Sequence, residues 1–229
     1  MNDVKDFTYK ERDRGHKELL SMLIYRPFAK FLLNRMFKNS NLTPNQISFI
    51  SLVLVLIGCV FFAFSPYPYM LMGFLFLHLG YAFDMLDGVY ARYKELSSKY
   101  GKWFDPFLDT IKVAFLFISL SYGSFLAKGN PLVLLWGMMA MANSLITYYV
   151  MNTKEHVIKE TTFQVKISNN VYLGYEISLY WALLIMGLFD AVYIGMLLLG
   201  TVGAFTWIKL YVSFRREYYS RKDEIESEV

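Results

Sequence analysis

Apolar residues run through the chain in long stretches, and the charged residues fall mostly between them. A bilayer core takes about 20 mostly apolar residues per helix, and six stretches approach that length: 46–65, 68–91, 104–127, 131–152, 172–189 and 191–213. Ahead of them, residues 16–37 (HKELLSMLIYRPFAKFLLNRMF) mix Leu, Ile and Phe with Lys and Arg at helical spacing and are interrupted near Pro27. This segment predicts an interfacial amphipathic helix, with a soluble helix packed on the membrane domain as the alternative. The expected fold is an all-α membrane protein of six transmembrane helices. It divides into an N-terminal interfacial segment 1–40, a membrane domain 41–214 and a charged tail 215–229.

Composition supports that class and removes others. Of the 229 residues 55% are hydrophobic and only 18% charged, against about 25% charged in an average soluble domain. The net charge of +4 is spread around the apolar runs and forms no basic block, so a membrane surface explains it and nucleic acid does not. One cysteine, Cys59, cannot form an internal disulfide, and His16, His78 and His156 have no zinc spacing. The charged opening MNDVKDFTYKERDRGHKE leaves no room for the apolar core of a cleaved signal peptide.

The cations also set an expected orientation. They cluster before the first span, after the second (Arg92, Lys94, Lys99, Lys102), after the fourth (Lys154, Lys159, Lys166) and in the tail (Arg215, Arg216, Arg221, Lys222), while the opposite side carries only Lys128. Positive-inside bias then places both termini in the cytoplasm, as an even number of spans requires. Trp103, Tyr148, Tyr149, Tyr172, Trp207 and Tyr211 fall near the span ends, where aromatic belts form.

The chemistry concentrates in Asp84-Met-Leu-Asp87-Gly88-Val-Tyr-Ala91-Arg92 and Gly101-Lys-Trp-Phe-Asp105-Pro-Phe-Leu-Asp109. Asp84 and Asp87 are three apart and Asp105 and Asp109 four apart, so each pair shares a helical face. Gly88 and Ala91 extend the first face and Gly101 the second, where missing side chains admit a ligand or a facing helix. An ionised aspartate near mid-membrane costs roughly 2.5–3.5 kcal/mol on insertion scales, and like charges add repulsion. A hard divalent cation such as Mg²⁺, Mn²⁺ or Ca²⁺ relieves both. The competing explanation is ion pairing through Arg92 and Lys112, but two bases face four acids. A carboxylate-bound metal beside a cytoplasmic loop points to phosphate chemistry, with Arg92 placed either to hold a second phosphate or to snorkel. Cys59 and His78 read as a buried thiol and a hydrogen-bonded membrane histidine, so no covalent nucleophile is evident.

The pattern D-x2-D-G-x2-A-R-x8-G-x3-D-x3-D resembles the signature of the CDP-alcohol phosphatidyltransferases, with every fixed position and spacing present. Leu42-Thr43-Pro44-Asn45-Gln46-Ile47 is similar to the segment that opens that family's membrane domain. The resemblance implies that Asp84, Asp87, Asp105 and Asp109 surround a Mg²⁺ or Mn²⁺ ion, with Asp109 also the base that takes a proton from the acceptor hydroxyl. It implies that Gly88, Ala91 and Arg92 bind the CDP-alcohol, helped by Thr43, Pro44, Asn45 and Ser98. The expected reaction transfers a substituted phosphate from a CDP-alcohol donor to a hydroxyl acceptor and releases CMP, in an integral membrane homodimer whose active site faces the cytoplasm.

Two rivals use the same acids differently. A membrane prenyltransferase binds a diphosphate through Mg²⁺ but separates its acidic motifs by more chain, and a cation transporter leaves Gly88, Ala91 and Arg92 without a role. The signature does not name the acceptor. Lys154, Lys159 and Lys166 are candidate contacts for a phosphorylated one, and solvated loop charge is the alternative. Gly195, Gly200 and Gly203 suit helix packing within or between chains.

Overall fold

Tyr25, Ala29, Leu32, Leu33 and Phe37 recur at three- and four-residue spacing, so one helical stripe of the N-terminal segment is apolar. In the computed structural model of the chain, which describes residues 17–64, 67–158, 164–168 and 171–222, these five residues are buried. They lie on α1, which winds through Ser21–Tyr25, Arg26–Leu32 and Leu33–Phe37, the first and last of these as π-helix. The break expected at Pro27 is instead a change of winding. Pro27 opens the regular stretch, where its missing N–H matters least, and the wider π-turn comes before it. Leu23, Phe28, Phe31 and Met36 stay exposed on the other side of α1.

Thr43 and Pro44 begin the next helix, since threonine caps an N-terminus and proline fits the first turn. Thr43 Oγ1 accepts from the Gln46 N–H at 3.3 Å, and Gln46 Oε1 accepts from the Thr43 N–H at 2.8 Å. This reciprocal cap starts α2 (Pro44–Ala63). The long helices α3 (Tyr67–Tyr93), α4 (Lys99–Lys128) and α5 (Leu132–Ile158) follow. After them come α6 (Tyr175–Leu188), α7 (Val192–Thr201) and α8 (Gly203–Ser220). The strands β1 (Lys17–Glu18), β2 (Gln164–Ser168) and β3 (Val171–Gly174) form a small sheet in the order β1-β3-β2, which the hydropathy pattern did not predict.

Each of the six apolar stretches holds a helix, but the described residues do not form six full spans. Among the described residues four helices are long and apolar enough to cross a membrane, and a fifth if α7 and α8 count as one span bent by 42°. The stretch 172–189 yields only the 14 residues of α6, about 21 Å at 1.5 Å per residue and short of a hydrocarbon core of about 30 Å.

The bend between α7 and α8 has an identifiable cause. Asn143 of α5 donates through Nδ2 to the carbonyls of Leu199 and Gly200, at 2.9 and 3.0 Å, which satisfies acceptors that a broken helix would leave bare. Trp207 Nε1 donates in turn to Asn143 Oδ1 at 3.1 Å. Gly200 lets this corner close, because a Cβ there would sit 2.7 Å from the Trp136 carbonyl oxygen. Gly195 and Gly203 likewise pack within the chain, against Met186 and Asn143.

The principal core holds Val55 and Cys59 of α2, Phe74 and Leu77 of α3 and Leu116 and Phe117 of α4, closed by Leu183 and Met196. The α2 and α3 backbones approach closely because a Cβ on Gly58 would lie 2.8 Å from the Gly73 carbonyl oxygen, and one on Gly80 3.0 Å from that of Ser51. This tight pair carries the start of α2 beside the acidic end of α3.

Candidate active site

The site forms where the start of α2, the end of α3 and the start of α4 meet. Tyr90, almost fully buried, points away from the Gly88–Arg92 face, and its hydroxyl lies 2.9 and 2.8 Å from the carbonyl oxygens of Ser40 and Leu42. It therefore fixes the segment leading into Thr43, Pro44 and Asn45. Ser98 caps α4, its Oγ accepting from the Gly101 N–H at 3.0 Å. A Cβ on Gly101 would crowd Ser98 Oγ at 3.3 Å and stand at ordinary contact distance, 3.5 Å, from Asn45 Oδ1, so the start of α4 lies beside the start of α2.

A cavity opens between these elements. Pro44, Asn45, Gly88, Ala91, Arg92 and Ser98 all line it, as do Asp87 and Asp105. A Cβ on Gly88 would meet only the Arg92 guanidinium, at 3.4 Å, so the glycine leaves space in front of that charge. Thr43 is placed differently from its six companions: its hydroxyl serves the α2 cap and its side chain does not line this cavity.

Asp84 and Asp109 lie off the lining of this cavity. Lys112, one turn beyond Asp109 on α4, reaches across to Asp84 on α3 and also contacts Asp109 Oδ1 at 2.9 Å. Its side chain is only 6% exposed, so loss of Lys112 would leave two neighbouring carboxylates without their shared counter-charge. Tyr148 of α5 donates to Asp109 Oδ2 at 2.9 Å. On the outer wall Ser48 donates to Asp105 Oδ1 at 3.1 Å. Asp84 is the hub of the group, an electrostatic neighbour of Asp87, Asp105 and Asp109 alike.

The donor chemistry suits a hard divalent cation. Oxygen ligands predominate, and Asp87 Oδ2 is buried without a hydrogen-bond partner, an acceptor that a cation would satisfy. Yet among the described residues no group of three or more His, Cys, Asp or Glu converges to hold a metal in this conformation. Two bases seemed too few against four acids, and for Asp84 and Asp109 that reasoning is corrected: they share one ammonium.

Other expected contacts also resolve. Lys154 is buried and paired with Glu217 Oε2 at 2.6 Å, which accounts for its charge without an acceptor phosphate. Lys159 and the side chain of Lys166 lie outside the described residues. Tyr148 and Trp207, expected near span ends, hydrogen-bond Asp109 and Asn143.

A second concavity lies on the other side of α4, lined by Trp103, Phe107, Leu145, Tyr148, Tyr149 and Asn152. Lys102 borders both hollows. Tyr148 connects this apolar groove to Asp109.

Ser48, Tyr90, Lys112 and Tyr148 complete the site beyond the signature. For Ser48 the sequence held a signal, since it follows Asn45 by three residues and so shares its helical face. Nothing local distinguishes Tyr90 or Tyr148 among 18 tyrosines.

Comparison with known proteins agrees with this architecture. The profile of the CDP-alcohol phosphatidyltransferase family matches residues 41–214, and the chain belongs to that family. It is thereby a membrane-embedded transferase of phospholipid biosynthesis, and the prenyltransferase and transporter readings lose their support. No curated protein sequence matches the chain. The crystal structure of Mycobacterium tuberculosis phosphatidylinositol phosphate synthase with CDP-DAG bound superposes with a TM-score of 0.63 at 19% identity, covering 83% of this chain and 93% of that one. The same synthase with manganese and citrate gives 0.62 at 20% identity, covering 83% and 88%. Its apo form gives 0.59 at 20% identity, covering 84% and 95%. At these identities the likeness concerns the fold.

Proposed function

We propose that the chain transfers a substituted phosphate from a CDP-alcohol to a hydroxyl acceptor and releases CMP, with a divalent cation required. The observation that carries this reading is the single cavity uniting Gly88, Ala91, Arg92, Asn45 and Ser98 with Asp87 and Asp105. It offers a guanidinium, small residues and acidic oxygens in one hollow, which suits a nucleoside diphosphate with its counter-ion.

In this reading Arg92 binds diphosphate oxygens, and Gly88 and Ala91 let the donor approach the α3 backbone. Asn45 and Ser98 orient the donor, Pro44 closes the floor, and Thr43 acts through the α2 cap. Asp84, Asp87 and Asp105 hold Mg²⁺ or Mn²⁺, with Asp109 beside them, and the ion supplies charge stabilisation at the phosphoryl oxygens. Asp109 accepts the proton of the acceptor hydroxyl, and Tyr148 steadies the carboxylate. The acceptor oxygen bonds to the β-phosphorus as the bond from that phosphorus to the bridging oxygen breaks, its electron pair leaving with CMP. The acceptor arrives from the Tyr148 side of α4. Both termini and the site face the cytoplasm, α1 lies at the membrane interface, and the protein works as a homodimer.

The test is to incubate purified protein with CDP-diacylglycerol, Mg²⁺ or Mn²⁺ and a panel of hydroxyl acceptors, following nucleotide products by mass spectrometry. CMP formed only with acceptor and metal together supports the reading. Pyrophosphate, or donor left intact by every acceptor, overturns it for this donor class, and a CDP-polyol panel then decides whether the donor is a soluble one.

A further inference from the structure

Lys112 is the feature that the signature does not absorb. Its Nζ joins Asp84 of α3 to Asp109 of α4, deep in the group of acids, while Asp87 and Asp105 face the cavity without sharing it. Asp84 is also the acid whose charge the other three all feel. Lys112 takes Asp84 through one oxygen, Oδ1, so a divalent ion drawn to the same carboxylate meets an ammonium already seated on it, and the two cations repel. An ion shared by Asp84, Asp87 and Asp105 therefore competes with Lys112 for the charge of Asp84, and loosening that contact relieves the repulsion. A lysine can allow this: its charge is compact and rides on a flexible four-carbon stem, unlike the fixed fork of arginine.

We infer that Lys112 is a built-in rival of the divalent cation: it holds Asp84 when the site is unloaded and yields that carboxylate on loading while staying with Asp109. Lys112 is thus a positioning residue. It ties α3 to α4 before the ion does and keeps the acids from repelling one another. This inference rests on the metal dependence proposed above.

The experiment titrates Mn²⁺ into detergent-purified protein and reads free Mn²⁺ by electron paramagnetic resonance, alongside melting temperature with and without Mn²⁺. Lys112→Met is expected to bind Mn²⁺ about tenfold tighter than wild type, because the ion no longer displaces a buried counter-charge. Its metal-free melting temperature falls, and its Mn²⁺-induced rise exceeds that of wild type. Lys102→Met, which removes an exposed charge from the cavity rim, changes affinity by less than about threefold. Unchanged or weaker binding by a folded Lys112→Met overturns the inference, as does equal tightening by Lys102→Met, which would show a general field effect. Should Lys112→Met fail to fold, Lys112→Arg decides: the fork grips the carboxylates more firmly, so Mn²⁺ binding weakens, and equal or tighter binding overturns the inference. Wild type that binds no Mn²⁺ at all defeats the proposed metal dependence itself.

Discussion

Asp109 is held by two neighbours, Lys112 Nζ and the Tyr148 hydroxyl, both at 2.9 Å. Such a carboxylate is aimed rather than merely present, as a general base should be. Asp109→Asn keeps the shape and loses the basicity, so turnover is expected to fall about 10²-fold or more with Mn²⁺ binding largely retained. Turnover near the wild-type rate would remove Asp109 from that role. Tyr90 acts one step away, through the Ser40 and Leu42 carbonyls. Tyr90→Phe is expected to raise the KM for the CDP-alcohol more than it lowers kcat, with a stability loss of about 1–3 kcal/mol for the buried acceptors left unpaired. An unaltered KM would mean that the segment before α2 is positioned by other contacts. The acids themselves were legible in the sequence because charge in an apolar run demands an explanation. Their partners were not, since Ser48, Tyr148 and Tyr90 are set by packing between helices that no local spacing encodes.

At the scale of elements, hydropathy located every helix of the membrane domain but misjudged what two of them do. The stretch 172–189 is mostly apolar, yet its first residues, Tyr172 to Gly174, belong to β3, which shortens α6. The stretch 191–213 is apolar enough for one span, but Asn143 and Gly200 stabilise a corner between α7 and α8 from a different part of the chain. Composition along a window registers neither effect. Asn143→Ala removes both carbonyl contacts and the Trp207 acceptor, so it is expected to destabilise the bundle by about 1–3 kcal/mol, read as a lower melting temperature in detergent. A melting temperature equal to wild type would show that the corner holds without it.

At the scale of the whole molecule, the orientation proposed from the uneven distribution of cations can be tested with the chain's own chemistry. Cys59 is its one cysteine and is buried. A new thiol at an exposed site can therefore be labelled against little background. Lys128→Cys is expected to react with a membrane-impermeant maleimide in intact cells, and Ser97→Cys only after permeabilisation. The reverse pattern would overturn the proposed orientation.

The placement of two hollows on opposite sides of α4, with Lys102 on the rim of each, has a kinetic consequence for the proposed reaction. When each reactant has its own doorway, order of arrival is free, and a spent nucleotide can leave toward water while the lipid product withdraws sideways. The helix that carries the base then serves as the partition across which the two substrates meet.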